Sequence, residues 1–211
     1  MHSTVVQMSD YVQRHQLAPL FATEELAEPH LASGLRLRPV LDSDAGRIIG
    51  LITDIRSEYS GRVGRMRRHM PELLAPARSY RDRDGQFWLL GSAEGIVGTV
   101  AMKPGMAAGV MELEHLYVRR SYREQGLGTL LCGLVEQEAL CRQCTSLELW
   151  SDVELLEANR LYERLGYVRG GSGQNLGHGA AATCRFYCKR LDPVRARDPA
   201  RLARLILEAF L

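Results

Sequence analysis

Apolar positions recur along the chain with two periods, and the changes of period divide it into elements. Leu35 and Leu37 alternate with Arg36 and Arg38 up to Val40, the period-two rhythm of a strand. Ile48, Leu51, Ile52 and Ile55 then share one face of a helix, with Asp42 or Ser43 placed to cap it. Residues 60–84 are rich in arginine and poorly periodic, which predicts a short helix and loops. Strands follow over 86–92, 95–102 and 109–118, with Lys103-Pro104-Gly105 turning the second into the third. In the third, strict alternation puts Met111, Leu113, His115 and Tyr117 on one face. Glu112, Glu114, Leu116 and Val118 take the other.

The second half alternates helix and strand. Leu127, Leu130, Leu131, Leu134 and Val135 stripe a helix over 126–142, and 146–150 is a strand. Ser151 or Asp152 can cap a helix carrying Leu155, Ala158, Leu161, Tyr162 and Leu165, which Gly166 ends. A strand begins at Tyr167-Val168, residues 170–179 with their five glycines form a loop, and 183–191 is a closing strand. Val5, Met8 and Val12 stand at helical spacing near the start, before Pro19, Pro29 and Gly34. Leu202, Leu205, Ile206, Ala209 and Phe210 mark an amphipathic helix at the end. The organisation expected is an extension over 1–34, a domain over 35–191 and a helical extension over 192–211. Strands first, then strand and helix in turn, predict a mixed α/β sheet with helices on both faces.

Composition narrows the function classes. The 211 residues, 45% hydrophobic and 25% charged, suit one soluble domain of ordinary size. A formal charge of +2 argues against general nucleic-acid binding. No stretch approaches the roughly 20 apolar residues of a membrane span, so no membrane partner is expected. The first ten residues have neither a basic start nor an apolar core, so no export signal is expected. The five cysteines then read as reduced thiols of a cytoplasmic protein. Cys141 and Cys144 form one C-x-x-C with no second pair and no nearby His, so no metal is expected.

The strongest chemical signal is the run Val118-Arg-Arg-Ser-Tyr-Arg-Glu-Gln-Gly-Leu-Gly-Thr129, between a strand and a helix. Its glycines permit a tight turn and close approach of a ligand. The unpaired N–H groups and dipole of the helix start favour a phosphate, to which Thr129 adds a hydroxyl and Arg123 a charge. There is no Gly-Lys-Ser/Thr, which excludes a P-loop, and the third glycine of the dinucleotide fingerprint is missing. A plain strand-to-helix turn has the same glycines.

Arg123-x-x-Gly126-x-Gly128 after Val118 resembles the acyl-CoA signature of the GNAT N-acetyltransferases. Ala158-Asn-Arg-Leu-Tyr-Glu-Arg-Leu-Gly-Tyr167 resembles the same family's A-x-x-L-Y-x-x-x-G-F/Y segment, and Arg185–Leu191 resembles its closing strand. The resemblance covers roughly residues 35–191. It implies a mixed, largely antiparallel, twisted sheet with acyl-CoA in the splay between two central strands. It implies that amides of Gln125, Gly126, Leu127, Gly128 and Thr129 bind the pyrophosphate. Leu116 and Val118 would offer backbone groups to the pantetheine arm and thioester carbonyl, and Asn159 a side-chain hydrogen bond to the arm.

Acetyl transfer to an amine needs a neutral nucleophile, a donor to the developing oxyanion and a proton for the leaving thiolate. Tyr162 matches the family tyrosine assigned to the thiolate, although its spacing also suits a core aromatic. Glu112 matches the strand position of the catalytic glutamate in histone-acetylating members, and Glu114 shares its face. Either carboxylate can take the amine's proton, directly or through water, or tune the charge of the cleft. Leu155 stands where many relatives carry Asn, which tells against the protein N-terminal branch. The arginines Arg62, Arg65, Arg67, Arg68, Arg78, Arg81 and Arg83 read as a solvated face or as an acidic-acceptor site. Gln174, Asn175 and His178 belong to a loop that either covers the acceptor or merely connects.

The function expected is acetyl-CoA-dependent transfer, with no metal, to the primary amine of a small molecule or amino acid by direct attack in a ternary complex. The alternatives are acetylation of a protein lysine or N-terminus, and a non-catalytic acyl-CoA-binding module. The terminal helices suggest a homodimer.

Overall fold

Seven strands form one sheet in the order β1-β2-β3-β4-β5-β7-β6. They are β1 (Arg36–Pro39), β2 (Gln86–Ser92), β3 (Gly95–Pro104), β4 (Val110–Val118), β5 (Ser146–Asp152), β6 (Val168–Gln174) and β7 (Thr183–Arg190). The helices are α1 (Ala45–Ser60), α2 (Pro76–Arg81), α3 (Leu127–Cys141) and α4 (Leu156–Arg164). The computed structural model describes residues 34–60, 70–174 and 183–192. The expected extensions, Arg62 to Arg68, Asn175 and His178 lie outside them. Arg78, Arg81 and Arg83 are exposed.

All neighbouring strands are antiparallel except β4 and β5, which run parallel and pair only over Val110–Glu112 with Ser146–Glu148. Beyond those three pairs they part. Helices cover both faces. On one, Ile48, Leu51, Ile52 and Ile55 of α1 and Tyr80 of α2 pack on Phe87, Leu89 and Ala101. On the other, Leu131, Leu134 and Val135 of α3 and Tyr162 of α4 pack on Trp88, Val100, Met111, Leu113, Leu147 and Leu149. Burying both faces explains why β2 and β3 read as nearly continuous apolar runs.

Three local expectations are corrected. The residue that caps the approach to α1 is neither Asp42 nor Ser43 but the fully buried Asp44. It accepts the Leu41 amide at 2.9 Å and is held by Arg38 at 2.7 and 2.9 Å and by Arg47 at 2.5 Å. Asp42 accepts the Arg78 amide at 3.0 Å and so ties this turn to α2.

Residues 170–174 are strand, not loop. Gly170 lets β6 pass Phe186, where a Cβ would come within 2.7 Å of the ring. At Gly173 a Cβ would meet the Trp150 ring at 3.3 Å. The glycines make room for aromatic rings of the neighbouring strands, so a run that reads as flexible is a packed edge.

The strict alternation of β4 also fails. Thr99 pairs with Tyr117 and Ala101 with Glu114, so His115 and Leu116 together face Val100. This is a β-bulge, with His115 in the left-handed region at φ 50°. The Thr99 hydroxyl donates to the His115 carbonyl at 2.9 Å and satisfies the displaced oxygen. The extra residue shifts the phase. Met111, Leu113, Leu116 and Val118 pack on the α3 side, while His115 and Tyr117 join Glu112 and Glu114 on the α1 side.

Candidate active site

Where β4 leaves β5, a cleft opens. Its walls include Glu112, Glu114, His115, Leu116 and Tyr117 from β4, Trp150 and Asp152 from β5, and Ala158 and Tyr162 from α4. Arg56 of α1 and Cys184 of β7 complete it. Of the residues singled out from the sequence, Glu112, Glu114, Leu116 and Tyr162 therefore share one cavity.

The signature loop lies where β4 ends. Glu124 at φ 62° and Gly126 at φ 76° turn left-handed, a geometry that aims successive N–H groups at one point. The first α-helical bond of α3 runs from the Leu130 amide to the Gly126 carbonyl, 3.0 Å. The amides of Leu127, Gly128 and Thr129 therefore have no carbonyl one turn before them, as at any helix start. Gly128 serves packing: a Cβ there would meet Leu161 of α4 at 2.8 Å. Gln125 donates its side-chain amide to the Ser121 carbonyl at 3.3 Å.

Arg123 is engaged within the protein. Its Nε donates to the Val118 carbonyl at 3.0 Å, and its guanidinium meets Glu58 at 2.8 Å and Glu157 at 3.5 Å. Tyr59, whose hydroxyl donates to Glu157 at 2.8 Å, lies 5.7 Å below the guanidinium. Burial and the Glu157 hydrogen bond push the Tyr59 hydroxyl up to about 12. With two carboxylates on its guanidinium, Arg123 joins α1 to α4 at the edge of the signature loop.

Tyr162 is buried, with its ring near Tyr167 and Tyr187 at 5.7 Å each. Desolvation holds its pKa well above 10.0, so it keeps its proton at neutral pH. Asn159, 3% exposed, donates its amide to the Asp152 carbonyl at 3.0 Å and to that of Val153 at 3.4 Å. Its Oδ1 is buried and has no hydrogen-bond partner among the described residues.

The two glutamates differ. Glu114 accepts from Lys103 at 2.7 Å and from the Tyr80 hydroxyl at 2.8 Å. Burial raises its pKa, but His115, Lys103 and the Tyr80 hydrogen bond outweigh that and leave it lowered. Glu112 has Lys103 at a longer 3.3 Å. Its pKa is raised, by burial first and by the neighbouring Glu114 and Glu148, against the pull of Lys103.

Arg56, Tyr117, Trp150 and Lys103 were not among the site residues expected from the sequence. The one available signal was a slip of phase: apolar residues at 111, 113, 116 and 118 do not keep a period of two. Among the described residues no group of three or more His, Cys, Asp or Glu has metal-site geometry, and no helix is long and apolar enough to cross a membrane. All five cysteines are free thiols.

Comparison with known proteins gives this geometry a family. The mouse (Mus musculus) protein named Probable N-acetyltransferase family 8 member 5 is 34% identical over 98 residues, 44% of this chain and 43% of the mouse protein. The chain thus matches less than half the length of that relative. An acetyltransferase of the GNAT family from Staphylococcus aureus superposes with a TM-score of 0.65 at 21% identity, covering 75% of this chain and 99% of that one. The yncA protein of Salmonella typhimurium, solved with its cofactor acetyl-CoA, superposes at 0.57 with 16% identity over 75% and 95% of the two chains. These structures share the fold. The family model described as the Acetyltransferase (GNAT) family matches residues 48–167, more than half the chain and both walls of the cleft, and this chain belongs to that family.

Proposed function

We propose that the protein transfers an acetyl group from acetyl-CoA to the primary amine of a small molecule, by direct attack in a ternary complex. The observation that carries this reading is the cleft itself. It opens between parted strands, has a helix start at one end, and has Tyr162 and two carboxylates within it. The residues fit the donor. The amides of Gln125 to Thr129 suit a pyrophosphate, and the orphaned Oδ1 of Asn159 is an acceptor for an amide N–H of the pantetheine arm. Backbone groups of Leu116 and Val118 flank the course of that arm along β4. The bound donor supplies a thioester, an activated acetyl group.

Glu112, with its raised pKa and looser partner, is the better-suited carboxylate to receive the amine's proton through water. Glu114, fixed by Lys103 and Tyr80, holds charge and shape. Tyr162 protonates the departing thiolate. Acetylation of a protein amine, or acyl-CoA binding without transfer, remains a reading with no particular observation in its favour.

Thermal unfolding with acetyl-CoA, CoA or NAD is the direct test. A ligand that binds only the folded state adds about 2.7 kcal/mol at 100 times its Kd. The expected result is a raised midpoint with both CoA ligands and none with NAD. No shift with either CoA ligand defeats the reading.

A further inference from the structure

Arg56, in the second half of α1, is the one arginine or lysine among the described residues that line the cleft. It is half-buried. The acids nearest it on α1 face other partners: Asp54 lies 3.8 Å from Arg119, and Glu58 lies 2.8 Å from Arg123. Asp152, on the opposite wall, accepts the Glu154 amide at 3.0 Å and so belongs to the turn after β5. No carboxylate among the described residues forms an ion pair with Arg56. A guanidinium carries five N–H donors and a permanent charge, and half-buried in a cleft it calls for an anion.

Its place shows which anion. Residues 125–129, the helix start that suits a pyrophosphate, do not line this cavity, so Arg56 stands apart from that loop. Its neighbour is Tyr117, beyond the bulge of β4 and on the α1 side of the sheet. Burial pushes the Tyr117 hydroxyl up, and the Arg56 guanidinium beside it pulls the other way. Glu112 and Glu114 lie on the same strand before the bulge. The cleft is therefore negative at one end of this stretch and positive at the other.

An amine arrives as an ammonium, which suits the end with the glutamates. A second group of opposite charge on the same molecule suits Arg56. A dianionic phosphate is poorly matched, because Glu112, Glu114 and Asp152 share the cavity with it. A carboxylate brings a single charge, and its two oxygens fit two parallel N–H groups of a guanidinium.

We propose that the acceptor is an amino acid, its carboxylate held by Arg56 beside Tyr117 while its amine is acetylated beside Glu112. This rests on the acetyl-transfer reading above. The ammonium first releases one proton to solvent. Its nitrogen then forms a C–N bond to the acetyl carbonyl carbon as the C–S bond breaks. The nitrogen's surplus proton passes to Glu112, Tyr162 gives a proton to the sulfur, and exchange with water resets both. The carboxylate is unchanged and fixes the direction in which the acceptor lies.

The test follows CoA release by the full chain at saturating acetyl-CoA. The acceptors are α- and ω-amino acids, each beside its own amide and its decarboxylated amine. The expected result is a kcat/KM at least about tenfold higher for the best acid than for its amide or amine, the worth of a hydrogen-bonded charge. The amide of an α-amino acid has the less basic amine, so that preference runs against intrinsic reactivity. Arg56→Gln should bring the acid-to-amide ratio towards one by raising the KM of the acid, with the KM of acetyl-CoA unmoved. Arg56→Lys, which keeps the charge but not the fork, should retain part of the preference. If acetyl-CoA raises the unfolding midpoint but the acid has no such advantage, or keeps it in Arg56→Gln, or no acceptor turns over, the amino-acid proposal is overturned and coenzyme binding stands. If acetyl-CoA gives no shift, both readings fall.

Discussion

At the scale of single residues, the two walls of the cleft divide the proton traffic. Tyr162 is held protonated by burial among aromatic rings, which suits a donor and disqualifies a base. Tyr162→Phe keeps the ring packing and removes only the hydroxyl, so kcat should fall about 10²-fold or more with the acetyl-CoA KM little changed. Steady-state kinetics decide this, and an undiminished kcat removes the general-acid role. If Glu112 is the base, as proposed, it sets the acid limb of the pH profile. Its folded pKa is raised, so the active carboxylate is present at high pH and lost as pH falls through a value above the ordinary 4.5. In Glu112→Gln that limb should vanish from kcat/KM, along with most of the rate. A limb of the same position in the variant would assign it to another group. The sign for Glu114 is opposite: its lowered pKa keeps it charged over the same range.

At the scale of elements, two short segments set the site: the bulge in β4 and the turn into α3. Gly126 has φ 76°, which L side chains adopt at a cost of roughly 1–2 kcal/mol. Gly126→Ala should lower stability by about that amount and weaken acetyl-CoA binding. Denaturant unfolding and titration calorimetry measure the two effects, and unchanged binding would free the loop of its phosphate role. This turn was legible in the sequence because its glycines, its flanking strand and its helix are all local. The bulge was not. Its cause is the fit of β4 against β3, where two residues share the space opposite Val100, and a strict period of two misplaces every residue beyond it. Leu116 and Val118 recorded the slip, but as two apolar residues among others. The same limit hid the extension of β6 beyond Arg169, where its glycines answer to Trp150 and Phe186 far away in the chain.

At the scale of the molecule, the sheet is two antiparallel sets, β1 to β4 and β5-β7-β6, joined by three rungs between β4 and β5. Hydrophobic periodicity gave the strands, the helices and the two covered faces. What joins the sets beyond those rungs was invisible to it. Arg123 links Glu58 and Tyr59 of α1 to Glu157 of α4, while Lys103 ties β3 to Glu112 and Glu114 within the first set. Such links bring together residues up to about a hundred positions apart, and no local pattern announces them. The extra residue in β4 has a consequence of its own. Without His115 the strand would alternate without fault, keep its oily residues on the same side and lie flatter on its neighbours. The bulge instead turns His115 and Tyr117 onto the α1 face, so one inserted residue decides which side chains the cleft presents to whatever enters it.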